Sequence, residues 1–232
     1  MNTTLEFAEW DTGKVAKYAN KIDTIFHYNE DVDKTAYLNW RMGFGSNSRR
    51  QFIVMGEAFF STAFNLVQQS TSNNSDKKAD LWIFPIMFNV VHGIEVYLKA
   101  INACLNVVLG KAHTNIEGGH DIKQLCNVAK SLIIEYKNIN KCDTTAQMFT
   151  AIKAIGNFIE NIYQKTDDMT FARYPMAKNK NGHFYIQTLE NEVVDLEMLQ
   201  EQMVIIYKLL DFIYEMPELE LEIESDMMMD CY

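Results

Sequence analysis

The chain has 232 residues, 48% hydrophobic and 22% charged, which excludes a disordered or collagen-like polymer and fits one large folded domain, with or without an extension. Formal net charge is −10, and seven acidic residues with no lysine or arginine fall between Glu215 and Tyr232. That argues against a broad electrostatic grip on nucleic acid but leaves room for a local basic pocket.

The N-terminus, Met1 to Glu6, has neither a basic segment nor the apolar run of a signal peptide, so a cytoplasmic location is expected. From Leu5 to about Tyr28 the amphipathic spacing is weak, and Gly43-Phe44-Gly45-Ser46-Asn47-Ser48 reads as a loop. Residues 1–48 are therefore read as an N-terminal helical extension, with Ser48 as the expected cap of the next helix. From Arg49 to Gln69, Phe52, Met55, Phe59, Phe60, Ala63 and Leu66 form one apolar stripe, which predicts an amphipathic helix. The polar run Thr71 to Asp76 ends it.

A second helix is predicted from about Asp80 to Leu109, with Ile83, Ile86, Val90, Ile94, Tyr97, Leu98, Ile101 and Leu105 on its buried side. Pro85 falls in its first turns, where a missing N–H does least harm. Its most apolar stretch, Leu81 to Val91, is shorter than the roughly 20 residues a bilayer span needs, and no membrane span is expected. Asp121 can cap a third helix carrying Ile122, Leu125, Val128, Ala129 and Leu132, and Asp143 a fourth carrying Met148, Ile152, Ile155 and Ile159 to about Lys165. Between Thr166 and Thr188, Pro175, Asn181-Gly182 and the alternation of Phe184 with Ile186 predict a loop or short hairpin. A fifth helix is expected from Asn191 to about Met216, after which Pro217 and the acidic run leave the fold, residues 217–232 forming a disordered tail. The fold class is thus all-α: an up-and-down bundle of about five helices over 49–216.

The second helix also carries a polar stripe, His92, Glu95, Lys99, Asn102 and Asn106, at spacings of three and four. Such a face can bind a phosphate or move a proton, with Glu95 tuning His92 or holding Lys99; it can equally be a solvated face with an ordinary Glu–Lys pair. His113, Glu117, His120 and Asp121 are metal-ligand types, but their spacing matches neither a His-x-x-x-His pair nor a zinc knuckle, and a turn or capping role is expected for His120-Asp121. Cys104, Cys126, Cys142 and Cys231 lack paired spacing and read as free thiols. No metal or cofactor is expected. Arg173-Tyr174-Pro175 joins a guanidinium to an aromatic ring and a rigid turn, with Lys178, Lys180 and His183 nearby. The arginine either faces phosphate or ties the loop to a carboxylate or helix end.

Taken in order, Gly93-Ile94-Glu95-Val96-Tyr97-Leu98-Lys99-Ala100, Gly119-His120-Asp121-Ile122-Lys123-Gln124-Leu125 and Ala172-Arg173-Tyr174-Pro175 resemble the HEPN superfamily over about Arg49 to Met216. The resemblance implies a bundle of four or five helices that dimerises. Many members are metal-independent ribonucleases of toxin–antitoxin, abortive-infection or related defence systems; others only bind nucleotides or partners. Catalytic members place a histidine four to six residues beyond an arginine, whereas nine residues separate Arg173 from His183 here.

The resemblance therefore implies a nucleotide-, RNA- or partner-binding module of a prokaryotic defence system, with a cognate antitoxin or nucleotidyltransferase as partner. A divergent metal-independent ribonuclease and a helical interaction protein with no nucleic-acid role are the alternatives. Arg173, Tyr174, His120, Glu95 and Lys99 are expected to converge on one polar pocket, because the loops that carry them can share one end of the bundle. The resemblance also predicts a homodimer: light scattering should return about twice the 26.9 kDa chain mass, and a monomer at micromolar concentration would refute it.

Overall fold

The computed structural model of the chain describes residues 19–20, 22–38, 42, 47–111, 119–140, 142–177 and 179–229, which fall in two units, Met1–Arg41 and Met42–Tyr232. Among the described residues of the first unit a 3-10 turn, Val32–Lys34, is capped by the Asp31 side chain. The expected helix over Leu5 to Tyr28 lies mostly outside the described residues, and residues 22–28 are not helical. Ile22, Ile25 and Phe26 stay exposed there, so no buried apolar face offsets the cost of helix nucleation.

The second unit is all-α. Helix α1, Ser48–Ser72, starts one residue earlier than its expected cap allows: Asn47 is the cap, its side chain accepting from the Arg50 N–H, and Ser48 is the first helical residue. Helix α2 is Ala79–Val108, α3 is Ile122–Ile139 with Asp121 as cap, and α4 is Asp143–Tyr163, where Cys142 rather than Asp143 occupies the cap position. A 3-10 turn, Met169–Ala172, and a one-turn helix α5, Phe184–Gln187, precede the long α6, Leu196–Met229. The described residues contain no strand, only an isolated antiparallel bridge between Met176 and Gly182. The Phe184 and Ile186 alternation has no neighbouring strand to pair with, and Phe184 instead packs on Phe171 while Tyr185 packs on Phe84.

Short connections make consecutive helices neighbours, and α2 is the hub, packed against α1, α3, α6 and the Met169–Ala172 turn. Ile86, Val90, Ile94, Tyr97, Leu98, Ile101 and Leu105 of α2 are fully buried. By length and composition α2 could cross a membrane, with a mean hydropathy of 1.5 over its most apolar window; within the bundle that apolarity serves contact with other helices. Pro85 lies deeper than the first turn, at the seventh residue, yet does not break the helix. Its missing N–H would have met the carbonyl of Leu81, whose side chain is exposed, so water can satisfy that group.

The expectation that the chain leaves the fold at Pro217 is overturned. Helix α6 runs through Pro217 to Met229, and only the last three residues of the chain lie outside the described set. Glu218 is buried, accepting from Arg49 Nε at 2.9 Å, from Asn47 Nδ2 at 2.9 Å and from the Cys104 thiol at 3.2 Å. Glu220 accepts from the Tyr136 hydroxyl. Burial opposes ionisation of Glu218, but the bonds from Arg49, Asn47 and Cys104 prevail and hold its carboxyl below the usual range. Removing one member of a buried pair strands the other. Glu218→Ala should therefore lower unfolding free energy by about 3 kcal/mol, while Glu222→Ala on the exposed side should change it by less than about 0.5 kcal/mol. Urea unfolding curves that shift equally for the two variants would refute the anchor.

Candidate functional site

The spacing of three and four places His92, Glu95 and Lys99 on one face of α2, the face turned toward α3. This is not a solvated face: Glu95, Lys99, Asn102 and Asn106 are each 6–7% exposed. Farther along, the stripe is consumed by packing, since Asn102 Nδ2 donates to the Leu125 carbonyl of α3 at 3.1 Å and Asn106 Nδ2 to the Asn102 carbonyl at 2.8 Å. At its N-terminal end it becomes a charge centre. Lys99 Nζ lies 2.9 Å from Glu95 Oε1 and His92 Nδ1 lies 3.4 Å from Glu95 Oε2.

The third partner arrives from another element. Gly119 adopts φ +78°, a conformation glycine supplies without strain, and delivers His120 so that its Nδ1 sits 2.8 Å from Glu95 Oε1. Asp121 then caps α3 by accepting from the Gln124 N–H at 3.0 Å and takes the Tyr163 hydroxyl at 2.9 Å. Those bonds, that of Gln124 foremost, hold the Asp121 carboxyl below its usual range. Each residue of Gly119-His120-Asp121 thus has a separate mechanical task.

Burial opposes ionisation of Glu95, yet hydrogen bonds from His92, Lys99 and His120 with the Lys99 charge overcome it and bring the carboxyl down to about 2. An ionised carboxylate only accepts hydrogen bonds, so the proton of each neutral imidazole resides on Nδ1. The Nε2 atoms of His92 and His120 are left as lone pairs. The His92 ring is fixed by aromatic neighbours, with Phe59 edge-on at 4.5 Å and Phe88 stacked at 5.6 Å. Its side chain is 31% exposed and that of His120 is 81% exposed.

Arg173 reaches the same region along the aromatic shelf. Its guanidinium lies 5.8 Å from the centre of the Phe88 ring, which stacks on His92, and 5.8 Å from that of Tyr174. Among the described residues it pairs with no carboxylate, and both Arg173 and Tyr174 are exposed. The structure therefore unites Glu95, Lys99 and His120 by direct bonds and connects Arg173, with Tyr174, through Phe88. Two surface concavities are lined by described residues: one of about 550 Å³ runs along α3 from Asp121 to Glu135, and one of about 420 Å³ lies between α1 and α6 beside Phe64 and Met203.

His113, Glu117 and Lys178 lie outside the described residues. His183 is buried and stacks on Tyr185. No group of three or more His, Cys, Asp or Glu side chains among the described residues is arranged to hold a metal. Sequence reasoning missed Phe59 and Phe88. Phe88 stands four residues before His92 and shares its face, a signal that was present; nothing local marks Phe59. Compared with models of known protein families, with characterised proteins and with solved structures, the chain matches none.

The Glu95 linkage has a defined sign. Its carboxyl titrates lower in the fold than the 4.5 of an unperturbed glutamate, so it contributes stability that is complete above pH 4.5 and lost as pH falls toward 2. The loss should approach 3 kcal/mol, an order-of-magnitude figure from about 1.4 kcal/mol per unit. In Glu95→Gln the decline in unfolding free energy between pH 5 and pH 2.5 should be smaller by about that amount, as read from urea titrations. An unchanged decline would place the acid sensitivity on other groups.

Proposed function

We propose that the protein is a HEPN-like helical module that binds the phosphate of a nucleotide or RNA at the surface formed by Arg173, Tyr174, His92 and His120, above the buried Glu95–Lys99 pair. The observation that carries this reading is Arg173, a guanidinium exposed on two aromatic rings with no carboxylate to neutralise it among the described residues. Arginine in that state offers a planar fork that fits two phosphate oxygens. Tyr174, with 58% of its surface exposed, offers a face on which a base can stack. The concentration of acidity in α6 keeps the interaction local, so affinity comes from few phosphate contacts and a shallow salt dependence.

The ordered resemblance of the three segments to HEPN proteins supports the same ligand class, and a dimer would present two such surfaces. The test is fluorescence anisotropy with a labelled single-stranded RNA and competition by nucleotides. Arg173→Ala should weaken binding about tenfold, equivalent to about 1.4 kcal/mol, without moving the thermal midpoint, because the side chain is exposed. Wild-type protein that fails to bind, or an alanine variant that binds equally well, would overturn the proposal. So would a loss of binding fully explained by a lower melting temperature.

A further inference from the structure

The groove between α1 and α6, about 420 Å³, is of the size small-molecule sites have. Phosphate binding makes no use of it. Phe60 and Phe64 line it from α1, Met203, Val204 and Tyr207 from α6, and the spacing of four on each helix keeps those side chains on one face. Its aromatic floor is fixed in advance. The Phe60 and Tyr207 ring centres lie 5.6 Å apart at 57°, and the fully buried Tyr97 meets both edge-on at 6.0 Å. Rings seated in this way lose little freedom when a ligand arrives.

Charge decides which ligand suits the groove. The described residues that line it include no lysine, arginine or histidine, and Glu57 is their one carboxylate. Glu57 is exposed and, among the described residues, has no hydrogen bond or ion pair. Burial raises the Tyr207 hydroxyl above its ordinary value, and the charges of Asp211, Glu57 and Glu215 push it the same way. Arg50 acts on Asp211 in the opposite sense and Lys208 follows Tyr207 on α6, but neither lines the groove. Aromatic faces add partial negative charge of their own. An anion is repelled here, and a metal ion finds one carboxylate where hard cations take six or more oxygen ligands. A cation with an apolar body answers the rings and Glu57 together.

We infer that the α1–α6 groove binds a methylated ammonium ion, its head group against Phe60, Phe64 and Tyr207 and its charge balanced by Glu57. The methyl groups follow from a shortage of acceptors. Phe60, Phe64 and Val204 have none, Met203 has only a weak thioether, and the Tyr207 hydroxyl is hydrogen-bonded to that of Tyr97. A primary ammonium brings three donors, and each one desolvated without a partner costs free energy. A trimethylammonium head brings none and is held by burial and by attraction to the rings.

Saturation-transfer NMR titrations of the full chain at fixed ionic strength test this with choline, with neohexyl alcohol, in which carbon replaces the nitrogen, and with ethanolamine. Choline should bind saturably, and the other two should each bind at least about fivefold more weakly. Glu57→Gln should weaken choline binding about fivefold and Phe64→Leu, which keeps apolar bulk but removes the ring, about threefold. Glu222→Gln, which removes an exposed charge of α6 outside the lining, should leave it unchanged. If Phe64→Leu lowers the melting temperature, the comparison of Glu57→Gln with Glu222→Gln decides. Absence of saturable choline binding would overturn the inference, and so would equal binding of neohexyl alcohol, which would mark a merely apolar groove. Equal binding of ethanolamine would overturn the methylated class, and equal weakening by the two glutamine variants would reduce the effect to diffuse attraction. None of these outcomes bears on phosphate binding at Arg173.

Discussion

An ionised carboxylate removed from water must be given back several donors or the fold loses more than it gains by burying it. Glu95 sits at this constraint. It occupies the central helix, 7% exposed, and its three donors come from one turn above, one turn below and the loop that leads into α3. The surrounding construction can be traced to it. Gly119 turns so that His120 reaches the carboxylate, Asp121 and Tyr163 hold that turn in place, and His92 is wedged by aromatic rings. Close approach of α1 to α2 supplies part of the wedge. A Cβ at Gly56 would lie 2.5 Å from the Tyr97 ring and one at Gly93 3.0 Å from Phe60, so glycine at these two places lets the helices meet closely.

The five long helices were legible because their apolar residues repeat at helical spacing and that spacing decides which face is buried. The Glu95–Lys99 pair was legible for the same reason. What could not be read was the environment of that pair. A polar stripe on a helix looks the same whether water or another helix covers it, and α2 is covered on several sides. The Glu95–His120 bond joins residues 25 positions apart, and the Arg173–Phe88 contact joins residues still more distant, so neither has a periodic signature. The segments around Glu95, His120 and Arg173 gave no indication of how their side chains would connect.

The acidic end of the chain shows the opposite failure, where composition suggested departure from the fold and geometry retained it. Alternation of Glu and Leu from Glu218 to Leu221 resembles no amphipathic helix, and Pro217 removes one backbone donor. Four bonds to Glu218, two of them from Arg49, and one to Glu220 outweigh that loss. One consequence concerns the arginines. Arg49, a strong candidate for anion binding on chemistry alone, is occupied by Glu218, with side-chain exposure of only 15%. Helix α6 thereby separates the arginines by role: Arg49 is structural, and Arg173 keeps an open guanidinium.

The two histidines on Glu95 are likewise unequal. His92 is held between Phe59 and Phe88, so its ring has little rotational freedom left. His120 is 81% exposed, and among the described residues its ring is bonded to Glu95. Lys99, buried, cannot itself extend to a ligand in solvent; its effect is to keep Glu95 ionised, which in turn keeps both imidazoles in the tautomer that turns Nε2 outward. Charge set in the core thus controls hydrogen-bonding capacity at the surface.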